Sequence, residues 1–132
     1  MVLATMARVL VVEDDPILRS LLVDVIRSVG AFLATGAASI AEADARLGLQ
    51  GANFDAVLLD KHLPDGDGGD FCQRLRLHGV TIPILILSGS ADRQSGERSR
   101  AQGASDHLHK PVHMRELMNR LQAQLAEPLP GA

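Results

Sequence analysis

Carboxylate, hydroxyl and ammonium side chains stand directly after four short apolar runs of this sequence. They are Glu13 and Asp14, then Asp60, Ser88 and Lys110. If the runs are parallel strands of one sheet, their carboxyl ends lie at the same edge, and these side chains meet there. Three carboxylates about 5 Å apart repel each other by roughly 3 kcal/mol per pair at an effective dielectric near 20, so such a cluster needs a cation.

The predicted cation is Mg²⁺. The available ligands are all oxygens, which suit a hard octahedral ion and disfavour zinc. A magnesium ion held by few protein groups keeps positions open for phosphoryl oxygens, and Ser88 and Lys110 are placed to bind the remaining ones. Asp60 has no second acid beside it, and a carboxylate can form an acyl phosphate directly. The set of residues therefore predicts phosphoryl transfer to Asp60.

Apolar runs that alternate with amphipathic segments predict the elements that position these side chains. The runs expected to form strands span residues 8–12, 31–35, 54–59, 82–87 and 106–109. The longer runs are continuously apolar, as expected for strands covered on both faces. Segments with apolar residues at helical spacing span 16–30, 39–49, 69–79 and 113–126.

The alternation of strands and helices predicts an α/β fold. We expect a doubly wound, five-stranded parallel sheet with helices on both faces. In such a sheet the functional crevice lies outside the carboxyl ends of the strands. Asp15 is assigned a structural role, because it precedes Pro16 and its side chain can cap the first helix.

Composition and charge disfavour several other classes of protein. The chain has 132 residues, 46% hydrophobic and 22% charged, which is typical of one globular domain. Three Phe, no Trp or Tyr, and a net charge of −3 argue against nucleic-acid binding through this chain. Cys72 is the single cysteine, and no apolar run approaches the roughly 18 residues of a membrane span. We therefore expect a cytoplasmic protein with no membrane partner.

Four sequence motifs resemble those of the receiver domains of two-component response regulators. They are VLVVEDDPILR, LLDKHLPDGDG, ILILSG and GASDHLHKP, in that order along the chain. The resemblance covers about residues 7–126, which leaves 1–6 as an N-terminal extension and 127–132 as a tail or the start of a linker. It implies a flavodoxin-like sheet with strand order 2-1-3-4-5.

The resemblance also implies a role for each motif residue. Glu13 and Asp14 would be the metal-binding pair, and Asp60 would accept a phosphoryl group from a phosphohistidine. The donor would be a sensor histidine kinase or a histidine phosphotransfer protein. The Asp60 side chain and the backbone carbonyl of His62 would help to hold Mg²⁺. Such a domain is a phosphoacceptor that assists its own phosphorylation and dephosphorylation, rather than an enzyme.

The remaining motif positions concern the phosphoryl group and the switch. By resemblance, Ser88 would bind a phosphoryl oxygen and Lys110 would pair with the phosphoryl group. Pro111 would follow a cis peptide bond that aims the lysine inward. His107 stands where most family members have Tyr or Phe, so it is the residue expected to swing inward with Ser88. The alternative is that His107 is merely a partly exposed strand residue; if it does switch, signalling should be pH-sensitive.

The segment 90–103 departs from the family at the position of the fourth helix. It contains no large apolar residue, Arg100 stands where the family usually has an apolar anchor, and Gly96 weakens the helix interior. We predict a short, frayed or mobile fourth helix. Because the fourth helix, fifth strand and fifth helix form the usual output and dimerisation surface, we expect a monomer or weak dimer.

Three alternatives were weighed against a phosphoacceptor switch. Haloacid-dehalogenase-like phosphatases place a second acid two residues after the nucleophile, where this chain has His62. A flavin- or dinucleotide-binding domain requires a glycine fingerprint after the first strand, which EDDPILR lacks. A receiver-like scaffold that binds partners without phosphorylation stays open. The sequence also leaves open the cognate kinase and whether an output domain accompanies this one.

Overall fold

A five-stranded sheet forms the centre of the computed structural model, which describes residues 6–89 and 93–125 and, in the second range, side chains from 96 onward. Every neighbouring pair of its strands is parallel, and the order is β2-β1-β3-β4-β5. The strands are β1 (Ala7–Val12), β2 (Phe32–Ala37), β3 (Ala56–Asp60), β4 (Ile84–Ser88) and β5 (Asp106–His109). The predicted fold class and strand order are confirmed.

Helices connect the strands in the alternation that the sequence predicted. They are α1 (Pro16–Ser28), α2 (Ile40–Leu47), α3 (Gly68–Leu77), α4 (Arg93–Ala101) and α5 (Met114–Leu125). A 3₁₀ turn spans Leu49–Gly51, and an acceptor-loop hairpin after β3 pairs His62–Leu63 with Gly66–Asp67. Among the described residues, no helix combines the length and apolar character that crossing a membrane requires.

Two strands begin two residues later than the apolar runs suggested. β3 begins at Ala56, and the preceding Asp55 uses its side chain to bind the backbone N–H and guanidinium of Arg8. β4 begins at Ile84 because Pro83 has no N–H to contribute to the ladder. The side-chain contact of Asp55 therefore sets the start of β3, and the missing N–H of Pro83 sets the start of β4.

Two apolar layers, one on each face of the sheet, explain the continuously apolar strands. Alternate strand residues face opposite layers, so a strand covered on both sides has no polar face. One layer joins Val9, Val11, Leu58, Leu85 and Leu87 to α1 and α5 through Leu22, Ile26, Leu117 and Leu121. The other joins Leu10, Val12, Val57, Leu59 and Ile86 to α2 and α3 through Ala43, Leu47, Phe71 and Leu75.

Asp15 caps α1 as predicted. Its Oδ1 accepts hydrogen bonds from the backbone N–H groups of Ile17 at 2.9 Å and Leu18 at 3.4 Å. Pro16 occupies the first turn, where a missing N–H costs nothing. This start of α1 directly follows the acids at the end of β1, so the cap also fixes the direction in which the chain leaves the site.

Helix α4 is short and contacts the sheet through small residues. It has nine residues, about two and a half turns, and the segment 90–92 before it lies outside the described residues. The Ser99 side chain is fully buried, and its hydroxyl has no hydrogen-bond partner within the described part of the chain. A Cβ on Gly96 would lie 3.7 Å from Nδ1 of His107. That α4 is short, frayed or mobile stays a prediction.

The buried hydroxyl of Ser99 generates a stability prediction. Ser99→Ala should raise the free energy of unfolding by about 1 kcal/mol, because it removes an unsatisfied buried polar group and alanine favours helix. Ser39→Ala is the matched control: Ser39 Oγ accepts from the backbone N–H of Glu42 at 3.1 Å, so that change should lower the free energy of unfolding by about 1 kcal/mol. Urea denaturation measures both. Equal destabilisation by the two variants would contradict the prediction.

Candidate functional site

The carboxyl ends of four strands bring the candidate residues to one edge of the sheet. Glu13 and Asp14 follow β1, Asp60 ends β3, Ser88 ends β4, and Lys110 follows β5. These strands are neighbours in the order β1-β3-β4-β5. The tertiary structure therefore gathers residues that are separated by up to 97 positions in sequence.

An acidic cluster forms the centre of this edge. One carboxylate oxygen from each of Glu13, Asp14 and Asp60 lies within 4.8 Å of the others. Glu13 is 1% exposed and Asp60 is 3% exposed, whereas Asp14 is exposed. Three carboxylates with an opening to solvent form an all-oxygen donor set, which fits a hard cation such as Mg²⁺ that keeps water or phosphoryl ligands.

Lys110 bridges two of the three acids. Its Nζ lies 2.9 Å from Oε1 of Glu13 and 3.2 Å from Oδ1 of Asp60. The backbone N–H of Lys110 donates to the carbonyl of Ser88 at 2.8 Å. The peptide bond to Pro111 is cis, as the resemblance implied. The Lys110 ammonium thus contacts both Glu13, an expected metal ligand, and Asp60, the candidate phosphoacceptor.

Burial and neighbouring charges shift the pKa values of Glu13 and Lys110. Burial raises the pKa of Glu13 to about 7, and the charge of Asp60 acts in the same direction. Hydrogen bonds from Lys110 and from the backbone N–H of Asp15 oppose the rise without cancelling it. Burial alone would lower the pKa of Lys110, but contacts with Glu13 and Asp60 raise it. Both shifts favour the protonated form of the group concerned.

The segment after Asp60 is held close to the acceptor by a glycine. A Cβ on Gly68 would overlap the backbone carbonyl oxygen of Asp60, so no other residue fits there without a shift of the loop. The N–H of Gly68 donates to the carbonyl of Lys61 at 2.6 Å. The N–H of His62 faces Oδ1 of Asp60 at 3.4 Å, while the His62 side chain is exposed. The His62 carbonyl thus belongs to a backbone segment that closes on the acceptor.

Ser88 and the end of β4 lie beside the acceptor. Asp60 is in register with Leu87, the residue before Ser88, and the N–H of Lys61 donates to the Leu87 carbonyl at 2.8 Å. Ser88 is fully buried. The hydroxyl therefore stands on the strand next to the acceptor strand, where a small shift at the acceptor can reach it.

His107 is buried, which rules out the simpler expectation of a partly exposed strand residue. Its ring makes an edge-to-face contact with His109, with ring centroids 4.8 Å apart. Burial lowers the pKa of His107, and the positive charges of His109, Lys61 and Arg100 lower it further, against the opposing effect of Asp106. The ring therefore remains neutral further into acid than an ordinary histidine. Its role as a switch stays a prediction.

Two polar contacts at this edge were missed by the sequence reasoning. Nη1 of Arg19 donates to the backbone carbonyls of Glu13 at 2.8 Å and Asp14 at 3.4 Å, and so fixes the backbone of the acidic pair. Asp65 in the acceptor-loop hairpin binds the start of α2. The position of Arg19, a basic residue one turn after the cap of α1, could have indicated its contact with the acidic pair. Nothing in the sequence indicated the partner of Asp65.

Comparison with known proteins identifies relatives of the chain. Residues 9–122 match the family model described as the response regulator receiver domain. The chain is 34% identical over 116 residues to the cell cycle transcriptional regulator CtrA of Caulobacter vibrioides, covering 88% of this chain and 49% of that protein. It is 38% identical over 122 residues to the transcriptional regulatory protein TcrA of Mycobacterium tuberculosis, covering 88% and 45%. The chain thus spans about half the length of these curated relatives.

A solved structure shares the fold over nearly the whole chain. The receiver domain of the Francisella response regulator 1452 superposes with a TM-score of 0.82 at 27% sequence identity, covering 90% of this chain and 96% of that domain.

The raised pKa of Glu13 predicts how stability depends on pH in the absence of metal. Folded Glu13 binds a proton more tightly than unfolded Glu13, so its contribution is fully present below about pH 4.5 and is lost as pH rises through about 7. The loss corresponds to about 3 kcal/mol at most. In EDTA, wild-type protein should therefore lose more stability between pH 4.5 and pH 8 than Glu13→Gln does, by urea denaturation.

A surface acid provides the control for this pH effect. Glu116 on α5 is exposed and pairs with Arg120 at 3.0 Å, so Glu116→Gln removes a carboxylate without touching the site. That variant should follow the wild-type decline with pH. Parallel curves for wild type and Glu13→Gln would show that Glu13 does not carry the effect.

Proposed function

The chain belongs to the response regulator receiver domain family of two-component signalling, and on that basis we propose that it is a phosphoacceptor switch. Asp60 takes a phosphoryl group from a phosphohistidine of a sensor histidine kinase or a histidine phosphotransfer protein. The single observation that carries the proposal is the bridge from Lys110 Nζ to Glu13 at 2.9 Å and to Asp60 at 3.2 Å. It places the acceptor carboxylate, a buried acid and a fixed cation at one edge of the sheet.

The transfer requires few chemical steps from the protein. A carboxylate oxygen of Asp60 attacks the phosphorus, the new O–P bond forms, and the P–N bond breaks with its electron pair passing to the imidazole. Lys110 neutralises phosphoryl charge as the group arrives, and the Ser88 hydroxyl donates to a phosphoryl oxygen. Because positioning and neutralisation provide most of the catalysis in phosphoryl transfer, the domain assists its own phosphorylation and dephosphorylation without being a conventional enzyme.

Mg²⁺ is the cofactor that we assign to the acidic cluster. The side chains of Glu13, Asp14 and Asp60 and the backbone carbonyl of His62 would hold it, and it would supply charge neutralisation at the phosphoryl oxygens. The all-oxygen donor set, with its oxygens within 4.8 Å of one another, supports this assignment. Arg19 maintains the backbone geometry of the first two ligands.

A groove beside the site provides a surface for the phosphohistidine partner. Its volume is about 370 Å³, and it lies between α1 and the segment after β5, with Lys110 at its border. Ile17 is 80% exposed and Leu21 is 48% exposed along it. A donor imidazole must reach Asp60, so the donor protein has to cover this adjoining surface. Exposed apolar side chains there favour docking of a protein partner.

The signal passes from the phosphoryl group to the surface formed by α4, β5 and α5. Ser88 would move toward the phosphoryl oxygen, and His107 would respond because it is buried beneath α4, next to the space that Gly96 leaves. Small residues hold α4 to the sheet, so a modest shift of the ring should change its position. Two relatives are named as transcriptional regulators, and on that ground we propose a downstream effector that controls transcription.

A second function is a receiver-like scaffold that binds partners without phosphorylation. The exposed apolar groove beside α1 would serve such a scaffold equally well. The acidic cluster favours the phosphoacceptor, because a scaffold has no need to bury two carboxylates beside one ammonium. We place either activity in the cytoplasm.

Phosphorylation of Asp60 is tested by intact mass. Incubation with Mg²⁺ and acetyl phosphate should add one phosphoryl group to the wild type and none to Asp60→Ala or to wild type in EDTA. If no group is added to the wild type, a phosphohistidine donor is used in place of acetyl phosphate. Failure with both donors would favour the scaffold.

The docking groove generates a separate prediction. Ile17→Glu should slow phosphotransfer from a phosphohistidine protein by roughly tenfold, because it places a charge in the apolar contact. Its phosphorylation by acetyl phosphate should stay at the wild-type rate. Leu77→Glu is the matched control, since Leu77 is 82% exposed at the end of α3, away from the groove. Equal rates for the two variants with the protein donor would contradict this docking site.

A further inference from the structure

The acceptor-loop hairpin is tied to α2 by a carboxylate that the proposed function does not use. Oδ1 of Asp65 accepts from the backbone N–H of Ile40 at 2.9 Å, and Oδ2 accepts from the N–H of Ala41 at 3.0 Å. Both donors belong to the first turn of α2, whose N–H groups have no partner within the helix. These bonds lower the pKa of Asp65, which keeps it ionised as an acceptor.

The start of α2 has its own local cap as well. Ser39 Oγ accepts from the N–H of Glu42, and Glu42 Oε2 accepts from the N–H of Ala38, the residue before the N-cap, at 3.0 Å. Asp65 therefore binds the N–H groups of Ile40 and Ala41, which the local cap does not bind. They connect α2 to a residue 25 positions away in sequence.

An apolar contact reinforces the polar one. A Cβ on Gly66 would lie 2.9 Å from Cδ1 of Ile40, so the tip of the hairpin rests directly on that side chain. Ile40 and Leu63 also pack against the same apolar layer of the core. Two independent contacts, one through a carboxylate and one through a glycine, thus fix the hairpin against α2.

The hairpin transmits this attachment to the acceptor. Leu63 is in register with Gly66, and His62 is in register with Asp67, so the strand that starts at His62 is paired with the strand that follows Asp65. At the base of the hairpin, the N–H of Gly68 donates to the carbonyl of Lys61 at 2.6 Å. The position of the His62 backbone therefore depends on where the tip of the hairpin is held.

We propose that Asp65 is a positioning residue for the metal and phosphoryl site, which holds the His62 carbonyl in place by anchoring the acceptor-loop hairpin to the N-terminus of α2. The inference rests on the proposed function, because it assigns Asp65 to the same Mg²⁺ site. Asp65 does not touch the metal or the phosphoryl group. It acts through the backbone of the hairpin.

The experiment compares Asp65→Ala with Ser39→Ala in the full chain. Ser39→Ala weakens the cap of α2 but leaves the hairpin bonds intact, so it controls for general loosening of the helix. Nuclear magnetic resonance measures the hydrogen-exchange rate of the Gly68 amide in EDTA. Chemical-shift changes during a Mg²⁺ titration give the Mg²⁺ affinity. Asp65→Ala should speed Gly68 exchange and weaken Mg²⁺ binding about tenfold, the lower end of typical losses when groups that support metal ligands are removed. Ser39→Ala should stay within about twofold of wild type in both measurements.

Loss of the negative charge of Asp65 could by itself weaken Mg²⁺ binding, so a second variant keeps that charge. Gly66→Ala leaves the Asp65 carboxylate in place but strains the backbone at the tip of the hairpin, where φ is 155°, and brings a Cβ to 2.9 Å from Cδ1 of Ile40. It should also weaken Mg²⁺ binding and speed Gly68 exchange. The titrations are repeated at about 1 M salt, where the screening length is roughly 3 Å and distant charge effects disappear.

Three results would overturn the inference. These are wild-type affinity for Asp65→Ala at high salt, wild-type affinity for Gly66→Ala, and equal losses for Asp65→Ala and Ser39→Ala. Failure of the wild type itself to bind Mg²⁺ would instead reject the metal site of the proposed function. In that event Gly68 exchange in EDTA alone would decide whether Asp65 anchors the hairpin.

Discussion

Repulsion among three carboxylates at one sheet edge is the constraint on which the rest of this structure depends. Glu13, Asp14 and Asp60 lie within 4.8 Å of one another, and Lys110 alone contacts two of them. The fold keeps them together because Asp60 ends β3 and the other two acids directly follow β1, and the interiors of both strands are fixed in the two-layer core. The cost of gathering like charges is thus offset by apolar packing elsewhere, and the resulting all-oxygen cluster fits a hard cation.

The backbone around this cluster is rigid where geometry matters. Arg19 holds the carbonyls of the acidic pair, and Gly68 permits the loop to close on Asp60. Asp65 and the tip of the hairpin fasten the same loop to α2. Each of these contacts acts on backbone atoms rather than on the side chains of the acidic cluster. Contacts of this kind keep the positions of the site residues within narrow limits.

The opposite side of the site is packed through smaller residues. Helix α4 offers the sheet a glycine and a buried serine, and neither supplies the large apolar contact that usually anchors a helix. His107 lies beneath it as a buried, largely neutral ring among cationic neighbours. In the proposed switch, phosphorylation of Asp60 would displace this weakly anchored helix.

The amino-acid sequence by itself determined the alternating elements, the cap at Asp15 and the strand ends that carry Glu13, Asp60 and Lys110. Those features follow from local periodicity and from chemistry adjacent in the chain, whereas the strand order came from family resemblance. Only the tertiary structure decided that His107 is buried, that Arg19 serves the acidic pair and that Asp65 reaches α2. Contacts across 25 or 97 residues depend on how helices dock and loops run, and spacing along the chain does not encode that geometry.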